Sequence, residues 1–315
     1  MSKNVIVTGG AGFIGGNLTR ELVKRGNKVK VIDNLLTGNI HNLDDIIGKI
    51  DFVNGDIRDA EMLKKELSGI ECIFHQAALP SVPRSIDDPF TSNSHNIDGT
   101  LNLLINARDA GVKRVVYAAS SSAYGDIEAE YKFEDMPANP LSPYALTKYA
   151  GEVYCRLFTK IYGLETVSLR YFNVFGPYQN PASQYAAVIP KFILLMLNGE
   201  QPTIYGDGEH SRDFTFVANN VEANILASEA KMASGEVINI ACGDSITLNQ
   251  LVEMINKELG TNIKPKYEPA KVGDVKNSKA SIEKAGRLLN YKPVKNFKEG
   301  LKETVQWYKN NQTKQ

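Results

Sequence analysis

Short apolar runs recur along the first half of the chain, each closing on a polar or glycine-rich turn and followed by helical spacing. Asn4-Val5-Ile6-Val7-Thr8 passes through Gly9-Gly10-Ala11-Gly12-Phe13-Ile14-Gly15 into a helical pattern from Asn17 to Lys24. Lys28 to Ile32 reads as a second strand, ending in Asp33, and Phe52 to Ile57 as a third, with a helix from about Asp59 to Leu67. Cys72-Ile73-Phe74-His75 then runs into Gln76-Ala77-Ala78. Asn96 to Ala110 has helical spacing, and Val115 to Ala119 delivers Ser120-Ser121-Ser122. A long helix is expected from Ser142 to Tyr162 and a sixth strand from Thr166 to Arg170. Strict alternation of strand and helix predicts an α/β fold with a doubly wound parallel sheet.

Near residue 175 the texture changes to longer loops with more proline. Pro190 to Leu197, Pro202 to Tyr205, Asn249 to Leu259 and Ser281 to Leu289 predict a smaller C-terminal substrate-binding lobe over 176–315. Phe214 to Val217 and Val237 to Ile240 are expected to return to the first domain, residues 1–175. The polar tail after Trp307 is expected to fray.

Composition narrows the function classes. With 43% hydrophobic and 23% charged residues among 315, a large core is available and disorder is excluded. The 36 basic and 36 acidic side chains cancel, which argues against nucleic acid or a membrane as the main partner. Cys72, Cys155 and Cys242 lack paired spacing, and His41, His75, His95 and His210 lack ligand spacing, so neither a disulfide nor a metal site is expected. The start of the chain has no signal-peptide pattern and no segment has transmembrane length, so a cytoplasmic protein is expected.

The candidate chemistry lies at strand ends. Glycines at Gly9, Gly12 and Gly15 permit a tight turn, let a pyrophosphate approach the backbone, and bring helix close to strand. The following helix N-terminus offers free amides to the phosphates. Asp33 stands near the ~20 residues downstream where a ribose-binding acid belongs, and its charge would repel a 2′-phosphate. A Rossmann-like domain holding NAD rather than NADP is therefore expected. Ser120-Ser121-Ser122 falls at the carboxyl edge of the sheet, where such folds bind ligands. Tyr144 and Lys148 share one helix face at i and i+4. A phenol of pKa ~10 is a poor base at neutral pH. A nearby ammonium is expected to lower that value and make Tyr144 a usable proton acceptor.

Together these features resemble the extended short-chain dehydrogenase/reductase family, over the whole chain. Ser120 to Gly125, Ser142-Pro143-Tyr144, Leu169-Arg170-Tyr171-Phe172-Asn173 and Gly206-Asp207-Gly208 through Arg212-Asp213 are similar to its nucleotide-sugar-modifying branch, above all the UDP-hexose 4-epimerases. His75 to Leu79 with Ser81 to Ser85 looks like the UDP-N-acetylglucosamine 4-epimerase group.

The resemblance implies a mechanism. Tyr144 takes the proton of the sugar 4-hydroxyl while hydride passes from C4 to the nicotinamide, Ser120 hydrogen-bonds the same oxygen, and Lys148 binds the nicotinamide ribose. The 4-keto sugar turns over and hydride returns to its other face. By position, Phe13, Ile14, Asp33, Asn34, Asp56, Ile57 and Phe172 would line the cofactor, with Gln76, Ala77 and Ala78 beside them. Ser81 and Ser120 to Ser122 would meet the sugar, and Asn173, Val188, Tyr205, Arg212 and Asp274 the nucleotide diphosphate. Lys271 stands where the family commonly has arginine, and Pro80 where relatives carry glycine or lysine. Ser278 matches a position that is tyrosine in relatives restricted to plain hexoses, so acetylated sugars are expected to fit. The resemblance also implies a homodimer through Asn96–Ala110 and Ser142–Tyr162, with Leu101, Leu104, Ile105, Val153 and Leu157 at the contact.

Other readings share the fold. Dehydratases of the family place Asp-Glu directly after the catalytic hydroxyl residue, and decarboxylases a glutamate near it. Ser121 and Ser122 occupy those positions here and disfavour both. A UDP-uronate 4-epimerase stays open because Arg84 could meet a carboxylate. A non-catalytic NAD-binding protein would be favoured by loss of Tyr144, Lys148 or Ser120, and all three are present.

Overall fold

Parallel strands with apolar residues on both faces need helices on both sides, and the computed structural model shows how the chain supplies them. The structure describes residues 2–181, 187–270 and 277–311, with 277 and 278 as backbone alone. β1 (Asn4–Thr8) turns through the glycines into α1 (Phe13–Lys24), followed by β2 (Lys28–Asp33) and β3 (Ile50–Asn54). α2 (Ala60–Glu66) leads to β4 (Cys72–His75), and α3 (Val82–Asp87), α4 (Pro89–Asn93) and α5 (Gly99–Asp109) precede β5 (Arg114–Ser120). α6 (Pro143–Leu157) connects to β6 (Glu165–Tyr171).

The sheet is seven-stranded, with β11 (Val237–Ile240) at its far edge in the order β11-β6-β5-β4-β1-β2-β3. Every pairing in it is parallel. Alternation along each strand splits the core in two. Val5, Val7, Val116 and Ala118 face α1 and the later helices with Leu18 and Leu22. Ile6, Val115 and Tyr117 face the other side with Leu63, Leu103, Leu104 and Phe158. The strand order reverses between β1 and β4, so their carboxyl ends open a crevice, which is where a Rossmann-like sheet takes ligands.

Beyond β6 the elements shorten. β7 (Val174–Phe175), α7 (Val188–Leu197), β8 (Thr203–Tyr205), β9 (Ser211–Arg212) and β10 (Thr215–Phe216) lead to α8 (Val217–Glu229). After β11 come β12 (Ile246–Thr247), α9 (Leu248–Leu259), β13 (Lys266–Glu268), β14 (Asn277–Ser278), α10 (Glu283–Leu289) and α11 (Phe297–Asn311). β9 lies between β12 and β14, and β8 pairs with β13. Among the described residues no helix is long and apolar enough to cross a membrane.

Several boundaries differ from the sequence reading. Thr215 and Phe216 pair with β7 rather than with the seven-stranded sheet. Phe175 lies 6.4 Å from Phe214, 5.6 Å from Phe216 and 5.3 Å from Phe297, an aromatic cluster that holds this small sheet in place. The third strand stops at Asn54 rather than Ile57. Asp56 takes bonds from the backbone and side chain of Arg58, which turn the chain out of the strand. The helix expected from Asn96 starts earlier, at Pro89, and passes through a π-helical turn at Ser94–Asp98 before α5. Pro89 opens that helix, as proline suits a first helical position, and Asp88 caps it by accepting from the Thr91 amide at 3.0 Å. The long helix from Ser142 consists of α6 and a π-helical turn at Phe158–Tyr162, ended by Gly163.

Candidate active site

The glycine turn is a matter of clearance. Gly9 has φ +70, and a Cβ there would lie 2.7 Å from the Ala77 Cα. A Cβ on Gly15 would lie 2.1 Å from the Gly9 carbonyl oxygen. Only hydrogen at these positions lets the turn press on the exit of β4. Below it the Thr8 hydroxyl meets His75 Nδ1 at 2.8 Å and accepts from the Ala77 amide at 3.3 Å, and His75 Nε2 meets the Thr100 hydroxyl at 2.9 Å. Burial pushes His75 down to about 3, so the ring is neutral and serves as a fixed hydrogen-bonding strut.

Asp33 lies at the carboxyl end of β2 and is 8% exposed. Its two oxygens accept from the amides of Ala11 at 3.0 Å and Leu35 at 2.9 Å. Burial raises its pKa and those bonds oppose the rise. Each oxygen keeps capacity for a further donor, as ribose hydroxyls require. Asp56 is held well below the usual carboxylate range by Arg58, and Asn34 donates to it at 2.9 Å.

At the other end of the crevice, Ser142 caps α6 by accepting from the Ala145 amide at 3.1 Å, and Pro143 opens the first turn. The Tyr144 amide donates to the buried Ser85 hydroxyl at 3.0 Å, and the Thr147 hydroxyl donates to the Tyr144 carbonyl at 2.8 Å. Further along the helix Glu152 forms a two-point pair with Arg170 of β6, at 2.8 and 2.7 Å. These contacts tie the helix to strand and loop, so the side chains it carries are positioned before any ligand arrives. Lys148, 4% exposed, directs its Nζ to 4.7 Å from the centre of the Tyr117 ring. The Tyr117 hydroxyl in turn donates to the Lys148 carbonyl at 3.2 Å. This close approach needs Gly151, where a Cβ would sit 2.3 Å from that hydroxyl oxygen.

Burial raises the Tyr144 phenol, and the effect that opposes the rise is a side-chain hydrogen bond with Ser120. Lys148 is itself pushed down to about 8 by burial. The cause is desolvation, which disfavours the charged form of both groups. Ser120 Oγ accepts from the Ser122 amide at 3.2 Å and its hydroxyl at 2.8 Å, which leaves the Ser120 proton to be donated elsewhere. That serine is placed to hydrogen-bond the Tyr144 oxygen.

One cleft of about 1290 Å³ joins these groups. Gly9, Gly12, Phe13, Ile14, Gly15, Asp33, Asn34, Asp56, Ile57 and Gln76-Ala77-Ala78 line it, as do Ser81, Ser120, Ser121, Ser122, Tyr144, Lys148, Asn173 and Arg212. Three sequence-derived residues are not among its walls. Phe172 is fully buried in a small cluster with Tyr124, Ala241 and Ala280, because the chain turns its side chain away from the crevice. Val188 begins α7 beside Ala187, which does line the cleft, and Tyr205 pairs with Glu268 in the β8–β13 sheet. Lys271, Asp274 and the Ser278 side chain lie outside the described residues.

Sequence reasoning missed Tyr178, Gln179, Asn180 and Trp307, which complete the wall. Trp307 is the chain's single tryptophan, and its isolation was the available signal. The glycine cradle and the half-satisfied Asp33 carboxylate fit a dinucleotide. Gly9 to Gly15 would hold its pyrophosphate and Asp33 its ribose.

Comparison with known proteins agrees with this geometry. The model of the NAD dependent epimerase/dehydratase family matches residues 5–241. The UDP-glucose 4-epimerase of Mycolicibacterium smegmatis is 37% identical over 310 residues, which cover 97% of this chain and 98% of that protein. A solved UDP-N-acetylglucosamine 4-epimerase from Methanobrevibacter ruminantium, in complex with UDP-N-acetylmuramic acid, superposes with a TM-score of 0.94 at 44% identity, covering 98% of this chain and 99% of its own. The UDP-glucose 4-epimerase of Thermotoga maritima, solved with UDP-glucose, gives 0.93 at 37% identity, with 98% and 99% covered. With these likenesses running end to end, and the glycine turn, Asp33 and the Tyr144 helix inside the matched span, the chain belongs to the NAD dependent epimerase/dehydratase family.

Proposed function

We propose that the chain interconverts UDP-hexoses at C4 with NAD as cofactor, acting on UDP-N-acetylglucosamine and UDP-N-acetylgalactosamine and also accepting UDP-glucose and UDP-galactose. The observation that carries this reading is the meeting of Ser120, Tyr144 and Lys148 in the cleft that the glycine turn opens. The Tyr144 oxygen receives the proton of the 4-hydroxyl, and the Ser120 proton steadies the charge that forms on it. Lys148 is held against the Tyr117 ring to meet the nicotinamide ribose. NAD, when bound, supplies reversible hydride acceptance at the sugar carbon. Residues 1–175 with the β11 return hold the cofactor, and residues 176–315 supply most of the UDP-sugar site through Arg212, Lys271 and Asp274, joined by Asn173 from the first domain. Serine rather than tyrosine at position 278 is the sequence feature that supports acceptance of an acetamido group.

Arg84 also lines the cleft and favours a second reading, a UDP-glucuronate 4-epimerase. Offering UDP-N-acetylglucosamine, UDP-glucose and UDP-glucuronate in parallel and comparing initial rates tests both. Fastest turnover of the uronate would replace the first reading with the second.

The protein acts in the cytoplasm as a homodimer paired through α5 and α6. Ile105 and Leu157 are exposed on those helices, as is Leu146 at 53%. Leu104, expected at the contact, is fully buried beneath the sheet and is not part of it. A monomeric mass by light scattering at micromolar concentration would remove the dimer.

A further inference from the structure

After β7 the chain enters residues 176–180, where side chains from both ends of the sequence converge. Asn17 on α1 donates through Nδ2 to the Phe13 carbonyl at 2.9 Å and to the Pro177 carbonyl at 3.1 Å. One amide thus joins the first turn of α1, which faces the pyrophosphate position, to this segment. Further along α1, Arg20 lays its guanidinium 3.8 Å from the centre of the Tyr178 ring. Asp45 fixes that guanidinium from another direction at 2.6 Å. Trp307 of α11 meets the same tyrosine ring at 5.0 Å, and the Tyr308 hydroxyl donates to the Gln179 carbonyl. Tyr178 has φ +68, a left-handed conformation that disfavours a tyrosine. Such a conformation persists where surrounding contacts over-determine it, commonly at functional sites.

We propose that Tyr178, gripped by Arg20 and Trp307, is the element that retains NAD in the cleft, so that the cofactor leaves only when the bridge between α1 and α11 opens. This rests on the epimerase reading above. An epimerisation regenerates its cofactor in every cycle and has no use for exchange. A device that slows cofactor release is therefore compatible with turnover here, as it would not be in a dehydrogenase that must replace NAD each time.

Tyr178→Gly removes the ring and suits the backbone conformation, whereas Tyr178→Phe keeps the ring. Each protein is loaded with NADH and chased with excess NAD, and release is followed by the emission of Trp307, the sole tryptophan, which NADH quenches by energy transfer. Gel filtration in parallel counts the NAD remaining per chain. Tyr178→Gly should release NADH on the order of tenfold faster than wild type, the loss expected for one cation–π and one aromatic contact. Tyr178→Phe should match wild type. Equal release from wild type and Tyr178→Gly overturns the proposal and leaves the epimerase reading intact, as does fast release from Tyr178→Phe. A wild type that binds no nicotinamide cofactor overturns both. Fast release from Tyr178→Gly with no epimerisation of any UDP-sugar by wild type removes the epimerase reading and, with it, the reason for retention.

Discussion

The two walls of the cleft are built by different means. On the cofactor side, Gly9, Asp33 and His75 sit at the ends of long parallel strands and are fixed by bonds to backbone amides or to neighbouring buried hydroxyls. On the sugar side, Arg212 belongs to a two-residue strand held by Ile246 on one flank and Ser278 on the other, and Asn173 is exposed with φ +33. The first wall cannot shift without breaking the core. The second can change one side chain at a time. In the function proposed above, reaction chemistry is seated in the rigid wall and choice of sugar in the adaptable one.

The sharpest way to break that division is Tyr144→Phe. The ring still packs while the proton acceptor disappears, so turnover should fall by at least ~10²–10⁴-fold with NAD content unchanged. A variant retaining more than half the wild-type rate would take Tyr144 out of the chemistry. Next in size is Glu152→Leu, which strands the buried Arg170 guanidinium and should lower stability by ~3–5 kcal/mol. Urea unfolding measures this, and an unchanged midpoint would mean that the pair does not anchor the helix.

On the sugar side, Ser278→Tyr should cut rates on acetylated sugars by roughly 10- to 200-fold and spare UDP-glucose. Equal losses on both would show that this position does not select the sugar. Asp33→Ala should narrow the preference for NAD over NADP. A wild type that already binds the two equally would remove the role given to the carboxylate.

The smallest effect is a slope. His75 is neutral in the fold until about pH 3, whereas the unfolded chain takes up the proton below ~6.5. Above that value neither state is charged. Below it stability drops as the unfolded state gains protons, by up to ~1.4 kcal/mol per pH unit. His75→Asn should lose that part of the acid sensitivity between pH 6 and 4. If wild type and variant show the same slope, the strut is not neutral for the reason given.

Much of the rigid wall was legible because its chemistry is local. Glycine spacing, a carboxylate at a strand end and an i, i+4 pair are short patterns with few physical solutions, and a parallel, doubly wound sheet follows from alternation. What escaped was set by contacts distant in sequence. Trp307 reaches Tyr178 across the whole C-terminal half, and nothing near either residue announces the meeting. Phe172 was placed beside the cofactor by resemblance alone, and its ring packs instead with Tyr124, Ala241 and Ala280, contacts that no local pattern announces. What Lys148 rests on escaped for a related reason. Helix spacing fixes which face a charge is on, but not what the sheet beneath offers it, and here that is the Tyr117 ring.

Gly151 carries a consequence for how such an enzyme can be altered over generations. A methyl group there would displace the Tyr117 hydroxyl, 2.3 Å from the place the new carbon would take. Removing the Tyr117 ring to make room would deprive Lys148 of the surface it rests on. A glycine, a tyrosine and a lysine on two different elements are thus heritable as one unit. Any two of them constrain the third, so viable change at this spot must come as a simultaneous exchange rather than as a series of single steps.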